Sequence, residues 1–173
     1  MDYSFTLKYR LPDDDRTMDV LVERLGEAGC TDALVGIGIP GRIALDFTRD
    51  AKTARHAVRS ALEDVRSAIP KAMLIEASPD FVGLTDVADI VGVSRQSIRK
   101  LMLGHDDFPV PVHDGSPSVW HLADVLRWLE GRKGYLSDPR LRETAAAALE
   151  VNVAKEALRS DPETTRGFER LIT

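Results

Sequence analysis

The chain has 173 residues, of which 43% are hydrophobic and 29% are charged, and its formal net charge at pH 7 is -5. That length accommodates one or two small domains with a buried core, and the ordinary hydrophobicity argues against intrinsic disorder. The acidic balance argues against a protein that coats nucleic acid with its whole surface, but it is compatible with a local basic element. The single cysteine, Cys30, excludes an intramolecular disulfide framework and a multi-cysteine zinc site.

Targeting signals are not apparent in the sequence. No apolar run reaches the roughly eighteen residues that a transmembrane helix needs. The first residues lack both the basic region and the apolar region of a secretory signal. We therefore expect a cytoplasmic protein with no membrane contact.

Residues 1–78 predict a ferredoxin-like α+β domain with the element order β-α-β-β-α-β. Alternating apolar residues indicate the strands, and apolar residues at helical spacing indicate the helices. We expect Asp15 or Thr17 to cap the first helix and Asp50 to cap the second. The strand positions are Tyr3, Phe5, Leu7 and Tyr9; Ala33, Val35, Ile37 and Ile39; Ile43, Leu45 and Phe47; and Met73 to Ala77. Both helices would cover one face of the sheet, and the domain is the expected dimerisation unit.

Residues 84–101 predict two short helices that meet at a tight turn. We expect Thr85 to cap the first helix, Gly92 to supply the unusual backbone angle of the turn, and Ser94 to cap the second helix. The inward positions are apolar: Val87, Ala88, Val91, Val93, Ile98 and Leu101. This pattern is typical of a helix-turn-helix, although a helical hairpin packed for structure alone has the same inward positions.

The outward side of the second helix carries the predicted chemistry. Three cations lie between Arg95 and Lys100 with no acid among them. Arginine and glutamine can read base edges in a major groove, while serine, lysine and helix-terminal amides can hold phosphates. The predicted DNA-binding residues are Thr85, Ser94, Arg95, Gln96, Ser97, Arg99 and Lys100, with a recognition helix at about 94–103.

A hairpin at residues 108–120, called the wing below, and a further helix follow the two helices. Asp114-Gly115 lies between two extended stretches and predicts a hairpin turn, and residues 122–129 predict a helix. The stretches Leu84-Thr85-Asp86-Val87-Ala88, Val91-Gly92-Val93-Ser94, Phe108-Pro109-Val110-Pro111-Val112 and Trp120 to Leu129 carry a family resemblance. On these stretches, residues 81–132 resemble the excisionase-like branch of the MerR-type winged helix-turn-helix proteins.

This resemblance implies a small bacterial or phage-related DNA-binding regulator. In such proteins the second helix enters the major groove, and the wing touches the neighbouring minor groove or backbone. Their wings are usually rich in arginine and lysine, whereas this wing offers His113, Ser116 and Ser118 as possible contacts and carries the acidic Asp114. We therefore expect modest salt-dependent affinity per subunit, which a homodimer on double-stranded DNA would increase.

The division into domains is expected at 1–78, 79–135 and 136–173. The last part predicts an alanine-rich helix, which opens at Ser137-Asp138-Pro139, and then a short helix or tail from Asp161. The narrow apolar stripe of the alanine-rich helix either packs on the chain itself or forms an exposed docking helix. The sequence leaves both readings open.

Other functions have weaker support. The Gly36 to Gly41 segment matches a dinucleotide-binding fingerprint, but a strand is predicted where that fingerprint requires a helix. The first block resembles regulatory ACT-type domains in topology, which would place a small ligand near Leu11 to Asp15. An antitoxin or other interaction protein that autoregulates through DNA binding is the main alternative. No catalytic arrangement or metal-ligand spacing is legible, so we expect no enzyme, cofactor or metal.

Overall fold

The computed structural model of the chain describes residues 1–13, 17–132, 134–135 and 138–172. Within these residues the fold is mixed α+β, with a four-stranded antiparallel sheet and a second, two-stranded sheet. The elements are β1 (Asp2–Arg10), α1 (Met18–Glu27), β2 (Ala33–Gly36), β3 (Arg42–Asp50), α2 (Ala54–Ala68), β4 (Met73–Ser78), β5 (Phe81–Val82), α3 (Leu84–Val91), α4 (Arg95–Gly104), β6 (Trp120–His121), α5 (Leu122–Glu130), α6 (Pro139–Ala157) and α7 (Pro162–Ile172). No helix in this described part is both long and apolar enough to cross a membrane.

The larger sheet has the strand order β2-β3-β1-β4. Its central strands alternate between buried and exposed residues, as the period-two pattern predicts. Phe5 and Phe47 are directly paired across β1 and β3, and their rings stack with centroids 5.2 Å apart. The buried face packs against α1, α2 and α6, whereas the other face carries polar side chains such as Ser4 and Asp46.

Element boundaries differ from the predictions at several points. Thr53, not Asp50, caps α2, because its hydroxyl accepts the His56 N–H at 3.2 Å. Asp50 ends β3 and binds the N-terminal ammonium group instead, at 2.5 Å. Thr17 precedes α1 but makes no side-chain cap bond, and Asp15 lies outside the described residues. Strand β2 ends at Gly36, so the predicted strand positions Ile37 and Ile39 belong to a loop.

A buried arginine ties β3 to its neighbours. Arg49 is only 7% exposed, and its guanidinium donates to the carboxylates of Asp32 and Asp64 at 2.7 Å each. Cys30 is buried nearby, and this burial raises the pKa of its thiol to about 11. A thiol that stays protonated at neutral pH is a poor nucleophile, so Cys30 has a packing role here.

Helix α6 packs on both halves of the chain and is not an exposed appendage. Ala147 and Ala148 belong to the core under the large sheet, and Ala145 belongs to the core around α3, α4 and α5. Polar contacts reinforce this position, since the Tyr3 hydroxyl donates to Glu143 at 2.9 Å. The docking-helix alternative therefore does not apply to α6.

A buried polar cluster marks the junction between the two halves. Asn152 is 1% exposed, and its amide accepts the Ala77 N–H at 2.9 Å while donating to the Ala77 carbonyl at 2.8 Å. The same amide donates to Asp80 at 2.8 Å, and the other oxygen of this carboxylate lies 2.7 Å from Nδ1 of His121. Helix α6 and strand β6 thus meet at the Asp80 carboxylate, and Asn152 links this carboxylate to strand β4.

We predict that Asn152→Ala destabilises the protein by about 1–3 kcal/mol, because it leaves buried hydrogen-bonding groups of Ala77 and Asp80 without a partner. The measurement is the free energy of unfolding in urea. Val153→Ala is the matched control on the same helix, since Val153 is 52% exposed. Equal stability of the two variants would contradict the role given to the cluster.

Candidate nucleic-acid interface

Helix α3 begins two residues earlier than predicted. The N-cap is Gly83, not Thr85, and the Asp86 carboxylate accepts the Gly83 N–H at 2.7 Å. An acidic side chain in the first turn also complements the helix dipole. Thr85 therefore lies inside the first turn with its side chain exposed.

The turn between α3 and α4 has the predicted chemistry. Gly92 adopts a left-handed conformation with φ at 72°, which glycine tolerates without steric cost. The Val93 N–H donates to the Ala88 carbonyl at 3.0 Å. Ser94 caps α4 by accepting the Ser97 N–H at 3.1 Å, and the two serine hydroxyls lie 2.8 Å apart.

One side of this helix pair is packed tightly. Val87, Ala88 and Ile98 are each at most 1% exposed. They share a core with Val82 and Trp120, against which Leu101 and Met102 also pack. Because Ile98 fixes the rotation of α4, the residues on the opposite side of this helix must face solvent.

The charged side chains of α4 are exposed to solvent. Arg95, Gln96, Arg99 and Lys100 are exposed, while Ser97 is half-buried. Within the described residues, the three cations form no ion pair, whereas Arg49 and Arg132 bind carboxylates of the chain. A cation without an internal partner is available to an external anion such as a phosphate.

The wing is shorter than predicted. A single antiparallel bridge joins His113 to Val119, so the connection spans residues 114–118 rather than the two-residue turn expected at Asp114-Gly115. The Ser118 hydroxyl donates to the Gly115 carbonyl at 2.9 Å and closes the loop locally. Pro117 cannot donate to a ladder, which limits the paired length. His113 and Ser116 are exposed, and Ser118 is half-buried.

Aromatic contacts hold the base of the wing. The Trp120 indole donates to the Pro109 carbonyl at 2.9 Å, and Phe108 makes edge contacts with Trp120 and Trp128. Arg132 lies over the Trp128 ring at 3.4 Å and binds Asp107. A hydrogen bond from Arg132 holds the pKa of the Asp107 carboxyl below its ordinary value. The segment between α4 and the wing is therefore anchored at both ends.

A surface cleft of about 890 Å³ lies between α4, the start of α3 and the wing. It brings together five of the predicted residues, which are Thr85, Arg95, Arg99, Ser116 and Ser118. The other five predicted residues do not line it: Ser94, Gln96, Ser97, Lys100 and His113. The lining also contains the acidic Asp86, Asp106 and Asp114.

The predicted site omitted two apolar residues of the wing. Val110 and Val112 are 85% and 51% exposed, and Val110 lines the cleft. The prolines on either side of Val110 are a sequence signal for an extended, unpaired segment. Exposed apolar side chains at such a position can contact sugars or a thymine methyl group.

The weaker sequence patterns concern three other kinds of site: a dinucleotide site, a small-ligand loop and a metal site. The glycine-rich segment at Gly36 to Gly41 is followed by strand β3, not by the helix that a dinucleotide site needs. The proposed ligand loop at Leu11 to Asp15 includes Asp14 and Asp15, which lie outside the described residues. Among the described residues, no group of three or more histidine, cysteine or acidic side chains is placed to hold a metal ion.

Comparison of the chain with protein-family models, curated proteins and solved structures found no match. A functional assignment must therefore rest on the residues of the chain itself.

We predict that Gly92→Ala lowers the free energy of unfolding by about 1–2 kcal/mol, because a side chain is strained in the left-handed conformation. Gly104→Ala is the control. Its backbone is not left-handed, and an added Cβ meets nothing within 4 Å, so this variant should be neutral or slightly stabilising. An unfolding series in which both alanine variants behave alike would refute the predicted turn.

Proposed function

We propose that the protein is a sequence-specific DNA-binding transcriptional regulator that acts as a cytoplasmic homodimer. The recognition helix is α4, at about 94–103, and it enters the major groove of double-stranded DNA. The observation that carries the proposal is that Arg95, Arg99 and Lys100 are exposed and form no ion pair among the described residues, while Ile98 of the same helix is buried.

The neighbouring elements support the same reading. Gln96 has the donor and acceptor geometry to read a base edge, and the Ser94 hydroxyl lies at the N-terminus of α4, where phosphates bind favourably. The order of α3, α4, a hairpin and α5 is that of a winged helix-turn-helix. We assign residues 79–135 to this domain type.

For residues 1–78 we propose a ferredoxin-like domain that dimerises. The strand order β2-β3-β1-β4 and the alternation of strands and helices both support this assignment. A dimer would present two recognition helices and would double the number of phosphate contacts.

A second candidate function is that of an antitoxin or another interaction protein. It is favoured by α7, which has no buried residue and exposes Phe168, Leu171 and Ile172. An apolar surface of this kind often marks a binding site for a partner protein. Co-purification of a second chain with the intact protein, and its loss when residues 162–173 are removed, would favour this function.

We predict that Arg99→Ala weakens DNA binding by about 1–3 kcal/mol, because it removes a contact to a base or a phosphate. The measurement is fluorescence anisotropy, at several salt concentrations, with a labelled duplex selected by the wild-type protein from a random DNA pool. Arg59→Ala on α2 is the control, since it removes the same charge from an exposed arginine. The proposal fails if Arg99→Ala and Arg59→Ala bind DNA equally well while both remain folded.

The wing gives an independent prediction. Asp114→Asn should strengthen DNA binding by up to about 1 kcal/mol at low salt, because it removes a negative charge that faces the phosphates, and the gain should shrink as salt screens it. Asp19→Asn on α1 makes the same charge change at a residue that does not line the cleft, and it should leave the affinity unaltered. An equal gain in both variants would point to net charge alone.

A further inference from the structure

The two edges of the large sheet differ in how their backbone is satisfied. At the β4 edge, the side chain of Asn152 binds both the N–H and the C=O of Ala77. Further along the same edge, Lys155 donates to the Ile75 carbonyl at 2.7 Å. Side chains of α6 thus occupy the position of a neighbouring strand, and this edge is closed to another chain.

Among the described residues, no side chain hydrogen-bonds to the backbone of the β2 edge. The segment from Ala33 to Pro40 carries no charged residue, and charged side chains are a usual means of blocking an edge. Three apolar side chains project from this segment into solvent, since Leu34, Ile37 and Ile39 are 77%, 60% and 57% exposed. An uncharged edge with exposed apolar side chains is a template for strand pairing.

Neither the backbone conformation nor the packing of the chain requires glycine at two positions of this edge. Neither Gly36 nor Gly38 has a positive φ. A Cβ at Gly38 would meet nothing within 4 Å, and one at Gly36 would meet Ala44 at an ordinary 3.7 Å. Glycine in or beside a strand often marks the close approach of another backbone.

We propose that β2 pairs antiparallel with β2 of a second copy, so that two four-stranded sheets become one. A second copy fits because the uncharged segment then faces an identical uncharged segment, and no charge is left without a partner. Pairing also stops at two copies, because the β4 edge is closed. The inference specifies how the proposed homodimer forms. It rests on the proposed function only for the biological role of that dimer.

The test is Leu34→Lys in the full chain, with the mass measured by light scattering over a range of concentrations. The introduced lysine would lie opposite Asp46 of its own chain, so the exposed position tolerates the change in the monomer. In the dimer, the two introduced lysines would lie on neighbouring strands of the joined sheet, and the contacts of two leucines would be lost. We expect the dimer dissociation constant to rise about 100-fold, leaving a species of 19.1 kDa.

Leu158→Lys is the matched control, because Leu158 is 88% exposed at the end of α6, and it should remain dimeric. Hydrogen exchange supplies a second measurement, in which amides of the Ala33–Gly36 strand become more protected as the wild-type concentration rises. A monomeric wild-type protein, a Leu34→Lys variant that stays dimeric, or a loss of the dimer in Leu158→Lys would each overturn the inference. These measurements use no DNA, so a wild-type dimer that fails to bind DNA would refute the proposed function alone.

Discussion

The packing of Ile98 against Val87 and Ala88 is the constraint on which the proposed interface depends. Burial of these side chains fixes the rotation of α4 about its own axis, and the left-handed Gly92 sets the angle between the two helices. The cations of α4 then lie at positions that this packing leaves exposed. An apolar contact inside the domain thereby determines where positive charge is presented outside it.

Helix α6 gives this arrangement a fixed frame. It contributes to both cores and uses Asn152 to bind β4 and Asp80 at once. Since His121 contacts the same carboxylate, the strand that leads from the wing into α5 is tied to the larger sheet. The same helix closes the β4 edge of the large sheet, so β2 is the edge that remains for pairing with a second copy.

The sequence predicted the helices and strands better than the contacts that individual side chains make. The strands β1 and β3 follow from alternation, because one face of each is buried. The prediction that Thr85 caps α3 was wrong, because the helix begins after Gly83 and the Asp86 carboxylate accepts the Gly83 N–H. The burial of Asn152 could not be foreseen, since a polar residue in a helix gives no sign of a partner seventy-five positions away. The DNA contacts themselves remain predictions, because the residues specify an exposed cationic surface but not its ligand.

Selection of bound duplexes from a random DNA pool tests the central claim most directly. The purified full-length protein would be used at low salt, and the bound fraction would be sequenced after several rounds. A cationic recognition helix on a symmetric dimer predicts enrichment of a palindromic motif. A pool that stays random, with no duplex retained above background, would contradict the account.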